Sequence, residues 1–220
     1  MRAARPTWLI ALGIAALAAF APVGRAGAQV KLGGFNLEGD VEAGGRSLID
    51  EPSRSRKGKF EEYRDVSAGL FLDRLQLRIF RPDESQAFEL GGSKWGQEDQ
   101  EFSLRVGRLG LWGLGFEWDQ TPHVFSTTGR MLATESARGV FTLPAPRPSL
   151  SAYNTSRRLD EIGTRWDTAR LSLLLTPTPD LELRAEYTRI RKDGDRPFGV
   201  GFGSPGNNLL EVLEPIEQTV

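Results

Sequence analysis

A two-strand pattern between residues 99 and 120 constrains the fold of this chain more than any other feature. Apolar side chains occupy every second position from Phe102 to Val106 and again from Trp112 to Trp118, with polar residues or glycines between them. Successive side chains of a strand point to opposite faces, so the pattern predicts an antiparallel hairpin with one apolar and one polar face. A soluble β-sandwich would bury the apolar face against a second sheet, whereas a transmembrane β-barrel would turn it towards lipid.

The same alternation predicts seven strands along the chain. The hairpin supplies two of them, and the other five are expected at about residues 33–44, 68–80, 85–92, 168–176 and 181–190. An eighth strand has room to begin at the C-terminus. Residues 45–67 and 192–215 are expected to form loops, and residues 120–167 are the longest irregular stretch, rich in proline, serine and threonine.

The lengths of the connections favour the barrel. Long and short connections alternate along the chain, and bacterial barrels alternate short periplasmic turns with longer extracellular loops. We therefore predict an all-β fold, an antiparallel transmembrane β-barrel with the 120–167 loop outside the cell. A bacterial barrel has an even number of strands, from eight upwards, so the chain is expected to hold the N-terminal seven to eight strands of a larger barrel. A soluble periplasmic β-protein that binds a ligand or partner is the alternative.

The barrel prediction assigns a face to each apolar residue. The outward residues should contact lipid, because they lie on the apolar side of their strands. They are Leu75, Leu77, Phe102, Leu104, Leu114, Phe116, Leu171, Leu173, Leu181 and Leu183.

The N-terminus has the pattern of a secretory signal peptide. Arg2 and Arg5 precede an apolar run over residues 8–21, and the small residues Ala26 and Ala28 mark a cleavage site before residue 29. We predict that residues 1–28 are a signal peptide and that residues 29–220 form the barrel segment. The chain has no cysteine, which excludes disulfides and covalent haem attachment within it.

Four short segments occur in an order that resembles one family. They are Lys59-Phe60-Glu61-Glu62-Tyr63-Arg64-Asp65, Trp118-Asp119-Gln120-Thr121-Pro122-His123, Thr142-Leu143-Pro144 and Pro215-Ile216-Glu217-Gln218-Thr219. Together with the strand pattern between them, they are similar to the decahaem-associated outer-membrane proteins of the MtrB/PioB family over most of residues 35–220. A Cys-x-x-Cys pair that some members carry is absent here, so any role of that pair does not transfer.

The resemblance implies a function without enzymatic activity. Members of this family form a barrel of more than twenty strands in the bacterial outer membrane, of which this chain would supply the first quarter to third. The barrel sheathes a periplasmic multihaem c-type cytochrome, so that electrons can cross the membrane. The implied partners are a decahaem cytochrome and outer-membrane lipid, and the haem would belong to the cytochrome. A porin that passes small polar solutes is the alternative function.

The candidate partner-binding residues are charged side chains expected on the lumen wall. They could dock a polar cytochrome surface, or they could simply solvate a wide lumen, and the sequence does not separate these two roles. They are Arg74, Arg78, Arg170, Glu182, Arg184 and Glu186.

Other residues indicate no catalytic, cofactor or metal site. His123 is the only histidine, and we expect it to shape the turn that leaves the fifth predicted strand rather than to bind haem or a metal. Gly113 and Gly115 on the lumen side would permit close approach by a partner or bend the strand, and the bend is the simpler interpretation. The net charge of −1 gives no indication of nucleic-acid binding.

Overall fold

A nine-stranded antiparallel sheet dominates the computed structural model, which describes residues 23–47, 54–142, 150–159, 161–202 and 208–220. Its first six strands are β1 (Val23–Leu32), β2 (Phe35–Arg46), β3 (Gly69–Phe80), β4 (Gln86–Trp95), β5 (Glu101–Arg108) and β6 (Trp112–Ser126). Four short strands follow, β7 (Arg130–Met131), β8 (Thr134–Ala137), β9 (Val140–Thr142) and β10 (Arg157–Arg158). The sheet then continues with β11 (Ile162–Thr178), β12 (Leu181–Phe202) and β13 (Asn208–Thr219).

Neighbours in the sheet follow the order of the chain. The order is β1-β2-β3-β4-β5-β6-β11-β12-β13, while β7 pairs with β10 and β8 pairs with β9 in two small ladders. Two short helices lie in the connections, α1 (Arg54–Phe60) and α2 (Leu150–Thr155). Among the described residues, neither helix is long and apolar enough to cross a membrane.

The described residues form two compact units. The first comprises residues 23–47, 67–119 and 169–188, and the second comprises the described parts of 50–66, 120–168 and 189–220.

Strand pairing in the first unit confirms the predicted separation of faces. Leu77 lies opposite Leu90, which lies opposite Leu104, which in turn lies opposite Phe116. One face therefore carries apolar side chains on every strand from β3 to β6. Further along the same sheet, Leu173 and Leu183 are 37% and 49% exposed. An apolar face that stays open to its surroundings is what a membrane barrel needs and what a sandwich would cover.

The structure confirms the seven predicted strands and corrects their limits. Strands β6 and β11 extend into the region predicted to be irregular, so the prediction of one unstructured loop over residues 120–167 is wrong. The prediction of a loop over residues 192–215 is also wrong. Residues of this segment belong to β12 and β13, which pair with each other and place Arg196 opposite Glu214. Glycine and proline in this segment indicate a loop by local propensity, but cross-strand pairing outweighs that preference. The extracellular position of residues 120–167 stays a prediction.

Strand β1 was missed by the sequence pattern. It overlaps the predicted signal peptide, and it pairs with β2 from Val23 opposite Gly44 to Leu32 opposite Phe35. The small residues that suggest a cleavage site also fit a strand, since Ala28 lies opposite Gly39 in the ladder. Cleavage after Ala28 stays a prediction, and it would leave only the last four residues of β1 in the sheet.

An aromatic cluster on the apolar face depends on one unusual backbone angle. Lys94 has φ of +52°, in the left-handed region that few non-glycine residues adopt. Trp95 consequently lies over Gly92 and beside Phe102, with ring centroids 6.2 Å apart, and Phe102 is paired with Trp118. Outer-membrane barrels carry such aromatic girdles at the membrane interfaces.

The second unit has a small core of its own. Val124, Met131, Ala133 and Ile162 are buried in it. The segment after α1 lies beside β6, where the Val124 N–H donates to the Glu62 carbonyl at 3.0 Å. This contact protects part of the strand edge that would otherwise present unpaired backbone groups.

A hairpin in the second unit is fastened to β12 and β13. Arg138, between β8 and β9, places its Nη2 2.8 Å from Asp193 Oδ1, and the neighbouring Gly139 packs against Pro215. Strand β12 has 22 residues, whereas a spanning strand needs about 9–11. Counted from the short turn at residues 179–180, ten residues of β12 end at Ile190, so we place the residues beyond it outside the spanning part. The hydrogen bond from Arg138 lowers the pKa of Asp193, while burial, followed by the charge of Glu135, raises the pKa of Asp195.

The first prediction tests the two faces of β5. Replacing Leu104 with Arg should destabilise the full-length protein by about 2–4 kcal/mol, because an arginine near the bilayer midplane is poorly solvated. Ser103→Arg on the opposite face should change the free energy of unfolding much less. Urea unfolding in lipid vesicles measures both values, and equal losses for the two variants would contradict the assignment of the faces.

The second prediction concerns the Arg138–Asp193 contact. Because the folded-state pKa of Asp193 is lowered, its stabilising contribution is present above the unfolded value of about 3.9 and is lost as the pH falls through the folded pKa. The raised pKa of Asp195 acts in the opposite sense, since its contribution is lost as the pH rises through that value. Asp193 accepts the hydrogen bond that ties Arg138 of the hairpin to β12, so we expect its protonation to dominate. A nitroxide on Val140→Cys, the only cysteine of that variant, should then become more mobile between pH 7 and pH 3.

In the labelled Val140→Cys protein, the further substitution Asp193→Asn should make the nitroxide mobile already at pH 7. It should also remove most of the change in nitroxide mobility between pH 7 and pH 3. The Arg138–Asp193 pair is exposed to solvent, which screens its charges, so the change in the ratio of free to docked hairpin should be small but measurable. Identical spectra for the two proteins at pH 7 would show that this ion pair does not hold the hairpin.

Candidate functional site

The polar face of the first unit carries a continuous row of ion pairs. Arg105 Nη2 lies 2.7 Å from Glu117 Oε1, and Glu117 Oε2 lies 3.2 Å from Arg170 Nη1. Arg170 Nε in turn lies 3.1 Å from Glu186 Oε1. These four residues, which we call the charge ladder, link β5, β6, β11 and β12. They meet because each lies on the polar side of its strand at neighbouring register positions.

The alternation of sign continues towards β1. Arg78 Nε on β3 lies 3.1 Å from Glu89 Oε1 on β4, and Glu89 lies opposite Arg105 in the register. Arg78 also lies opposite Glu38, whose carboxylate accepts a hydrogen bond from Gln29 Nε2 at 2.9 Å. The polar face therefore alternates basic and acidic groups over most of the sheet.

The six residues predicted for the lumen wall all lie on polar positions of their strands. Arg170 and Glu186 belong to the charge ladder, and Arg184 pairs with Glu182 two residues away on β12. Arg78 is joined to Glu89. Arg74 is separate from these pairs and lies opposite Glu42 and Ser93 in the register.

Sequence reasoning missed the ladder's central residues as site candidates. Arg105 and Glu117 lie on the polar side of the hairpin that first predicted the fold, so the period-two pattern contains the signal that could have found them. The pattern does not give the register between β6 and β11, and this register brings Arg170 next to Glu117.

The charge ladder is exposed enough that its pairs contribute little to stability. Its four side chains are between 41% and 62% exposed. Ion pairs of this kind are screened by water and salt and are typically worth about 0–1 kcal/mol each. Such pairs can exchange partners with another charged surface at small cost, so the polar face is suited to contact with a charged partner rather than to acid–base chemistry.

Comparison with known proteins identifies the family. A sequence model of one family, described as an outer membrane beta-barrel porin, MtrB/PioB, matches residues 54–220. The chain belongs to the MtrB/PioB family. Comparisons with curated proteins and with solved structures gave no match. In an outer-membrane barrel the apolar face of the sheet meets lipid and the polar face lines the lumen, so we expect the polar face described above to line the lumen of this MtrB/PioB barrel.

Two of the segments that carry the family resemblance contact each other in the second unit. The His123 ring on β6 stacks on Tyr63 with centroids 4.5 Å apart, and Phe125 lies on it at 4.3 Å. Glu62 Oε1 is 3.9 Å from His123 Nε2. In this MtrB/PioB chain the two segments thus join the residues after α1 to β6.

The prediction that His123 shapes a turn is wrong. Strand β6 runs through His123 to Ser126, because the strand continues beside β11 and the residues after α1. Within the described ranges, no group of three or more His, Asp or Glu side chains could hold a metal ion.

The two lumen-side glycines differ in what surrounds them. A Cβ on Gly115 would lie 2.5 Å from Ser172 Oγ, so close packing of β6 and β11 explains that glycine. A Cβ on Gly113 would meet only Leu174 Cβ, at 3.8 Å, which is ordinary contact. The space over Gly113 is therefore open.

The third prediction tests how much the charge ladder stabilises the barrel. Glu117→Gln leaves Arg105 and Arg170 without their shared carboxylate, yet it should lower the free energy of unfolding by less than about 1 kcal/mol. Glu182→Gln, which affects only the Arg184 pair, should have a similarly small effect. If urea unfolding in vesicles gave a loss above about 2 kcal/mol for Glu117→Gln alone, the ladder would be a structural element rather than an exchangeable surface.

Proposed function

We propose that this MtrB/PioB barrel encloses a multihaem c-type cytochrome and so allows electrons to cross the outer membrane. The observation that carries the proposal is the charge ladder, which presents Arg105, Glu117, Arg170 and Glu186 in alternating sign across four strands. A wall of alternating sign complements a large protein surface that also carries both signs, and it favours one register of docking.

The physical role of the barrel is insulation. Charged groups and a polar polypeptide are costly to place in the low-dielectric interior of a bilayer. A barrel with an apolar exterior and a polar interior removes that cost for a protein in its lumen. The haem groups would belong to the cytochrome, while this chain would supply the lumen wall and the surface in contact with lipid.

A porin is the second candidate, because the matched family is described as a porin. Solute channels often line their constriction with rings of one charge sign. The charge ladder instead pairs each basic group with an acidic one, and this difference favours the sheath.

The fourth prediction separates the two candidates. The full-length barrel should co-purify with a cytochrome that stains for haem. Liposomes containing both proteins should reduce an external acceptor from a reduced dye trapped inside, without release of the dye, because electrons pass through the partner's haems while the lumen stays filled.

Liposomes with the barrel alone are the control and should transfer no electrons. Electron transfer by the barrel alone would overturn the proposal. Passage of small solutes through a barrel that retains no cytochrome would establish the porin instead.

A further inference from the structure

A depression in the polar face of the first unit lies beside the charge ladder. It has a volume of about 690 Å³ and is bordered by the ends of β5, β6, β11 and β12. Its lining includes Gly107, Gly113 and Leu174, which have little or no polar side-chain surface. The depression is therefore an apolar area on an otherwise charged wall.

Neither a close contact nor a left-handed backbone conformation requires the glycine at position 113. A Cβ on Gly107 would lie 2.8 Å from the Trp112 carbonyl oxygen, so the neighbouring backbone requires that glycine. Gly113 has only Leu174 Cβ near it, at 3.8 Å, and its φ is not in the left-handed region. Glycine in a strand interior weakens the strand and often marks a place where a ligand or another backbone comes close.

Charged side chains of both signs surround this apolar area. Arg105 and Glu89 lie on one side, and Arg184 and Glu186 lie on the other. Each is paired within the sheet, but these pairs are partly exposed and can be exchanged. An apolar centre with a polar, charged rim is the usual anatomy of a protein–protein contact.

We propose that this depression receives a protruding loop of the enclosed protein, with small or apolar residues at its tip and both an acidic and a basic side chain beside them. This inference rests on the proposed sheath function, and it identifies the part of the lumen wall that contacts the partner. The apolar tip fills the space over Gly113 and Leu174, and its flanking charges exchange with the rim. The occupant is thus a folded, water-soluble protein with a mixed-charge surface rather than a small solute.

The test fills the depression in the full-length barrel. Gly113→Leu should weaken retention of the cytochrome at least tenfold, measured as the apparent Kd for the purified cytochrome in detergent. Thr188→Leu places the same leucine side chain at an exposed polar-face position outside the depression and should stay within twofold of the unmodified protein. Gly113→Ala should fold normally, since its Cβ has ordinary contact distances, and should weaken retention about threefold.

Heat-modifiable migration on gels checks that each variant is folded. If Gly113→Leu does not fold, Gly113→Ala against Thr188→Leu decides the question. Retention by the Gly113 variants equal to that of the unmodified barrel would overturn the docking site while leaving the sheath intact. Failure of the unmodified barrel to bind any cytochrome would instead overturn the proposed function.

Discussion

The open apolar face of the sheet is the constraint on which the rest of the structure depends. Leu77, Leu90, Leu104 and Phe116 lie side by side through strand pairing, and the side chains further along this face stay exposed. In water such a surface would associate or aggregate. In a bilayer it lowers the free energy, provided that the backbone groups are paired between strands. The membership of the MtrB/PioB family and the exposed apolar face therefore lead to the same outer-membrane barrel.

If the apolar face meets lipid, the opposite face lines the lumen and contacts whatever the lumen holds. Its charges are numerous but balanced, and they alternate so regularly that most have a partner in the sheet. Arg170, for example, lies between Glu117 and Glu186. Each pair adds little stability, so a wall of this kind can be selected for what it contacts rather than for what it stabilises. The open space over Gly113 agrees with this, because no close contact in the sheet requires a glycine there.

The sequence predicted the parts of the fold that depend on local alternation. The faces and register of the central hairpin follow from period two, since a slip of one residue would place Leu104 on the polar side. The prediction failed where the structure of a segment depends on its pairing partner rather than on its local sequence pattern. Strand β13 forms although its segment contains Pro215, and Trp95 reaches the apolar face only because Lys94 adopts a positive φ. The stacking of His123 on Tyr63 joins segments about sixty residues apart, which no local pattern indicates.

The most direct test of the central claim is a nitroxide accessibility scan along β5, which is straightforward because the chain has no cysteine. Single labels at residues 101–108 should show oxygen accessibility with a period of two and maxima at Phe102, Leu104 and Val106, because these positions face lipid. A water-soluble nickel reagent should give the complementary pattern, and addition of the cytochrome should protect only the alternate positions, including Ser103 and Arg105. Uniform accessibility along the strand, or protection of both faces by the cytochrome, would contradict a barrel that faces lipid on one side and a protein partner on the other.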